Sequence, residues 1–143
     1  MDLNYINSLI SKAFYKGQKV TFCNYGENTI GVTLDGFVMY FMPEKDFIFD
    51  RDKLNHAWID TTRFISTNGY EDAVRSNELL TFDKKTLAVF KNDNTEVFVD
   101  LKLLKPFDSR MSTYKIKDPS SGVLVYENGI LVGLVMPTRY NRK

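Results

Sequence analysis

The sequence holds little of what most enzyme chemistry requires. It has one cysteine, Cys23, and one histidine, His56, in 143 residues. A single cysteine excludes an intramolecular disulfide and a multi-cysteine zinc site, and it gives no sign of an oxidising compartment. His56 has no second His and no nearby Cys to complete a ligand set and is expected to be structural. A nucleophilic dyad of Cys23 with His56 has no local support. Glycine-rich phosphate loops, a G-x-S-x-G elbow and paired-histidine metal motifs are all missing. No cofactor or metal is therefore expected, and a non-enzymatic role is favoured. The contrasting reading is a small enzyme whose site is assembled from distant carboxylates.

Excess charge is missing too. Nineteen basic residues against eighteen acidic ones leave a net charge of +1, so contact with nucleic acid would need a local patch instead of a general field. No apolar run reaches the length of a membrane span, and Asp2 stands where a secretory leader would carry basic residues. The expectation is a cytoplasmic protein without membrane contact. Hydrophobic residues make up 43% of the chain and aromatics 14%, enough to fill the core of one domain spanning residues 1–143.

Leu3, Ile6, Leu9, Ile10, Ala13 and Phe14 recur at helical spacing, with Asp2 at the positive end, Lys12 and Lys16 near the negative end and Gly17 placed to close the helix. From Gln18 the period falls to two. Val20 and Phe22, then Ile30, Val32 and Leu34, then 37–42 predict three sequential strands, with turns around Gly26 and at Asp35-Gly36, ended by Pro43. The middle, 44–77, gives weaker signals: a short strand over 46–50, a helical turn from Asp52 through His56, a strand over 59–67 and a helical turn over 71–76.

Strand patterns return at Leu80 and Phe82, 87–90 and 97–99. Asp100 is a good N-cap for a short helix over 101–105, which Pro106 disfavours extending. Tyr114 and Ile116 follow in alternation. The chain then closes in two apolar runs, 123–126 and 130–136, around Asn128-Gly129, the dipeptide suited to a type I′ hairpin. Residues 32–43 and 125–137 echo one another as strand, Asx-Gly turn, strand, Met-Pro. The echo permits a duplicated unit over 1–43 and 78–140, or a chance recurrence of hairpin chemistry.

Val97-Phe-Val-Asp-Leu-Lys-Leu-Leu-Lys-Pro-Phe107, Tyr114-Lys-Ile-Lys117, Ser121-Gly-Val-Leu-Val125 and Leu134-Val-Met-Pro-Thr-Arg139 resemble the last half-domain of the bacterial DNA polymerase III β subunit, the sliding clamp. Endings of this kind also occur in small phage and mobile-element proteins. The resemblance implies an α+β fold of βαβββ units, a DNA-clamp-domain-like arrangement of antiparallel sheets with two helices on one side. It implies that Lys12, Lys16, Lys102 and Lys105 lie near the phosphates of non-specific double-stranded DNA. It also implies a pocket for a protein partner at Met136, Pro137 and Arg139, with Val123 and Leu134 as neighbours. One such domain could encircle DNA only as a homo-oligomer. The function implied is a clamp-like domain acting through protein or DNA contacts in phage or mobile-element replication; the alternative is an inhibitor of a host protein that uses the fold as a scaffold.

Overall fold

The computed structural model describes residues 1–18, 20–25, 27–49 and 66–142, together with the backbone of 56–58. Helix α1 spans Leu3–Tyr15. Its start is fixed by Asp2, whose Oδ1 accepts from the Tyr5 N–H at 3.0 Å, and its end by Gly17, which takes the left-handed φ of 71° that a side chain would resist. The buried residues Ile6, Ile10 and Ala13 are spaced four and three apart, so one stripe of the helix faces the core.

Ten strands follow among the described residues: β1 (Val20–Asn24), β2 (Thr29–Thr33), β3 (Val38–Pro43), β4 (His56–Trp58), β5 (Glu71–Phe82), β6 (Lys85–Lys91), β7 (Glu96–Asp100), β8 (Ser112–Ile116), β9 (Val123–Glu127) and β10 (Ile130–Val135). They form one sheet in the order β4-β1-β2-β3-β10-β9-β8-β5-β6-β7. Neighbours are antiparallel except β4, which joins β1 in parallel with His56 opposite Val20. The two echoing hairpins meet at the centre, where β3 and β10 pair through Val38–Val135, Met39–Leu134 and Tyr40–Gly133. On either side of that seam the order runs outward through β2 and β1, or through β9 and β8.

Tight turns hold the hairpins. Asn128 and Gly129 have φ of 51° and 75°, and Asp83 and Lys84 have φ of 51° and 61°, the left-handed pairs that a type I′ turn requires. The long strand β5 joins the two parts of the sheet. Residues 71–73 pair with β8 and the remainder with β6, with a register shift between Arg75 and Leu79. This lets β6 and β7 fold back over the main core, where Phe90 meets Tyr114 edge to face at 4.7 Å. Phe22, Phe90, Ile6, Ile10 and Ile116 are fully buried there, each contributing about 1.5–3 kcal/mol by leaving water.

The expectation of two helices on one side of clamp-like βαβββ units is corrected. Among the described residues the chain has one α-helix against a predominantly antiparallel sheet. The second expected helix is a single 3-10 turn, Leu101–Leu104. Asp100 caps it as foreseen, accepting from the Lys102 N–H at 3.1 Å. Pro106, however, disfavours helical continuation through Lys105, and one turn is too short to nucleate an α-helix.

The middle of the chain brings further corrections. Residues 71–76, expected as a helical turn, are the first half of β5, because pairing with β8 outweighs weak local preference. The strand expected over 46–50 does not form over 46–49, and residue 50 lies outside the described residues. Glu44–Asp46 is a 3-10 turn, after which Phe47 packs edge to face on Phe22 and Phe49 on Phe14. Of the helical turn expected over 52–56, only the backbone of His56 is described, and it begins β4. Residues 59–65 of the expected strand over 59–67 lie outside the described residues.

Candidate nucleic-acid interface

Helix α1 and the 3-10 turn close the same side of the core. Leu3 and Phe14 pack against the cluster that also receives Leu101, Leu103 and Leu104, and the Asp2 N–H donates to the Pro106 carbonyl at 2.8 Å. Lys105 Nζ consequently sits 5.0 Å from the centroid of the Tyr5 ring. On α1, Tyr5, Leu9, Lys12 and Lys16 share a stripe, since residues four, three and four apart return to one face. At ~1.5 Å per residue the stripe is about 16 Å long. Three of the four expected lysines therefore line one side of the molecule, with Lys102 exposed on the neighbouring turn.

The charged side chains within α1 itself are of one sign. Helix α1 contains no acidic residue. Three carboxylates accept hydrogen bonds from backbone donors: Asp2 from the Tyr5 N–H, Asp35 from the Phe37 N–H at 2.8 Å and Asp100 from the Lys102 N–H. Among the described residues none of the four lysines forms an ion pair. Lys12 and Lys16 also line a groove of about 570 Å³, bounded by Leu9, Gln18, Leu34 and Asp35. Tyr15, one residue before Lys16, is 97% exposed.

The expected partner residues are not brought together. Val123 is fully buried, facing the main core opposite Val135. Leu134 points to the other face of the sheet, against the cluster of Cys23, Met39 and Phe41. Met136 is exposed, and its N–H donates to the Phe37 carbonyl at 2.8 Å, which sets it beside another exposed apolar residue. Pro137 is half-buried and Arg139 exposed.

The segment beyond them is anchored more firmly than its polar composition suggests. The Thr138 N–H donates to the Phe98 carbonyl at 2.7 Å. Tyr140 packs edge to face on Phe82 and Phe98, covering a small cluster of Leu80, Leu87 and Val89 on the far face of β5, β6 and β7. Arg142 then reaches both Glu78 and Glu96. The chain ending is thus a strap across the sheet. The aromatic and the arginine two residues apart were the available sequence signal.

A second feature has no counterpart in the sequence reading. Past Tyr40 and Gly133 the strands β3 and β10 separate, and a cavity of about 350 Å³ opens between them, with Tyr25, Phe41, Leu131 and Asp46 in its wall. Among the described residues no group of three or more Cys, His, Asp or Glu is placed to hold a metal ion. His56 and Cys23 lie on adjacent strands, but the register sets His56 beside Val20, and Cys23 is buried against Met39 and Gly31. No family model, curated protein or solved structure matches the chain.

Proposed function

We propose that the chain is a non-enzymatic binding protein that holds nucleic acid by its phosphates, through the side formed by α1 and the 3-10 turn. The observation that carries this reading is the seat of Lys105 over Tyr5. It joins the lysine pair of the 3-10 turn to the stripe of Lys12 and Lys16. A span of about 16 Å, laid along a duplex axis, corresponds to roughly five phosphate steps of one strand at ~3.4 Å of axial rise each. Such contacts position a backbone without reading bases, so the binding is indifferent to sequence and sensitive to salt. The implied setting, from the sequence resemblance, is replication of a phage or mobile element.

The test is fluorescence anisotropy with two labelled duplexes of unrelated sequence. Both should bind alike at about 25 mM salt and be released by about 200 mM. No binding at low salt, or binding that persists unchanged at the higher concentration, would overturn the reading.

A second reading, contact with a protein partner, is favoured by the exposed neighbours Phe37 and Met136. It predicts that Met136→Asp removes partner binding while leaving retention on DNA intact. A partner bound equally well by that variant would end this reading alone.

A further inference from the structure

The cavity between β3 and β10 arises from the sheet's own geometry. The two strands pair only through Tyr40–Gly133, Met39–Leu134 and Val38–Val135. Beyond that point β3 stays with β2, through Phe41, Met42 and Pro43. Meanwhile β10 stays with β9 and carries a register shift between Leu131 and Gly133. The strands splay into a wedge, and the void left between them measures about 350 Å³. This size falls at the lower end of small-molecule sites.

Its wall combines an apolar bed with one unspent charge. Tyr25 and Phe41 form a tilted ring pair with centroids 4.8 Å apart, and Leu131 and the exposed Ile130 face them from β10. Two carboxylates reach the cavity, Glu127 and Asp46. Glu127 is already satisfied: one oxygen pairs with the Met1 ammonium, and the other accepts from the Asp108 N–H at 3.2 Å. Asp46 has no hydrogen bond or ion pair among the described residues, and no lysine or arginine lines the cavity. A half-buried carboxylate lining the same cavity as two aromatic rings favours a cation, both by direct charge and by attraction to the ring faces.

We infer that this wedge is a binding site for a small organic cation with an apolar body, an aryl- or alkyl-ammonium compound. The ammonium pairs with Asp46 and the apolar body lies between the Tyr25–Phe41 rings and Leu131. The cavity reaches Met1 and Leu3 at the start of α1 but none of the four lysines, and the inference does not depend on the nucleic-acid reading.

Nuclear magnetic resonance titration of the full chain with three matched probes tests it: 2-phenylethylammonium, the neutral 2-phenylethanol and the anion 3-phenylpropionate. The amine should shift the signals of Tyr25, Leu131 and Asp46 saturably, with a dissociation constant at least roughly tenfold below that of the anion. Asp46→Asn should shrink that preference to within about threefold while leaving the alcohol unaffected, which also reports that the cavity is intact. Lys12→Gln with Lys16→Gln should change none of these values. Equal binding of the three probes, no saturable shift with the amine, or an unchanged preference in Asp46→Asn would overturn the assignment. A capped Phe-Lys dipeptide binding more tightly than the free amine would overturn the small-molecule ligand in favour of a protein partner.

Discussion

Lys105 holds its ammonium 5.0 Å from the centroid of the Tyr5 ring, one hundred residues away in the chain. An exposed cation over an aromatic face is worth about 0.5–1 kcal/mol. Tyr5→Leu and Lys105→Met should each lower stability by roughly that amount, and the double variant by less than the sum, because both remove one contact. Urea denaturation of the four proteins measures the coupling. Strict additivity would mean that the contact contributes nothing.

Phe107 enters the core across Gly133. A Cβ at residue 133 would lie 2.3 Å from Phe107 Cζ, and Phe107 is itself buried against Tyr40. Gly133→Ala should therefore destabilise by about 1–3 kcal/mol through overpacking. Phe107→Leu in the same chain should recover part of that loss by opening space. A double variant at least as unstable as the sum of the singles would show that the ring is not the obstacle.

Cys23 is fully buried between Gly31 and Met39, and burial pushes its thiol up to about 11. At pH 8 only about one molecule in a thousand would carry the thiolate that attacks a disulfide reagent. Ellman's reagent should react with the native protein at no more than a small fraction of its rate in denaturing urea. Equal rates would place Cys23 at the surface.

Several of these relationships were legible in the sequence, and the others failed for identifiable reasons. The period of α1, Asp2 at its positive end, the cap at Asp100, and the Asn128-Gly129 turn are local signals, and the residues behave as their chemistry dictates. The β5–β6 turn is as tight as the closing one, but it uses Asp83 and Lys84 with no glycine to announce it. Residues 71–76 carry little strand propensity and become a strand because Tyr114–Ile116 supplies their partner, a pairing that no window of sequence contains. The lysine positions could be read, whereas the bridge from Lys105 to Tyr5 needs the third dimension. The grouping of Val123 with Leu134 overlooked strand alternation: residues 123 and 135 form one inward pair, while 124 and 134 form the next, outward one.

The strap ending in Arg142 should respond to acid. The hydrogen bond from Arg142 holds the Glu78 carboxyl below its usual range. A carboxyl more acidic in the folded state binds fewer protons there. Its stabilisation is thus complete above the free value of about 4.3 and is lost as pH falls through the lower folded value. The ring-current-shifted signals of Tyr140 on Phe82 and Phe98 should move toward free-tyrosine positions in that acid window, and Glu78→Gln should abolish the step. About 0.5 M salt should weaken the contact at neutral pH, since both partners are exposed. Tyr140 signals that stay constant with pH would show that packing alone holds the strap.

The dependence of duplex binding on salt, with and without Lys12, Lys16, Lys102 and Lys105, is the most direct measurement of the phosphate-binding reading. Each lysine that displaces a phosphate counterion adds about 0.9 to the slope of log K against log salt, so four contacts predict a slope of about −3.6. Replacing all four with Gln should bring the slope close to zero and abolish measurable binding. Stability to urea should fall by no more than the about 0.5–1 kcal/mol that Lys105 contributes over Tyr5, because all four side chains are exposed. A steep slope that survives the fourfold replacement would contradict the account by placing the phosphates on another face.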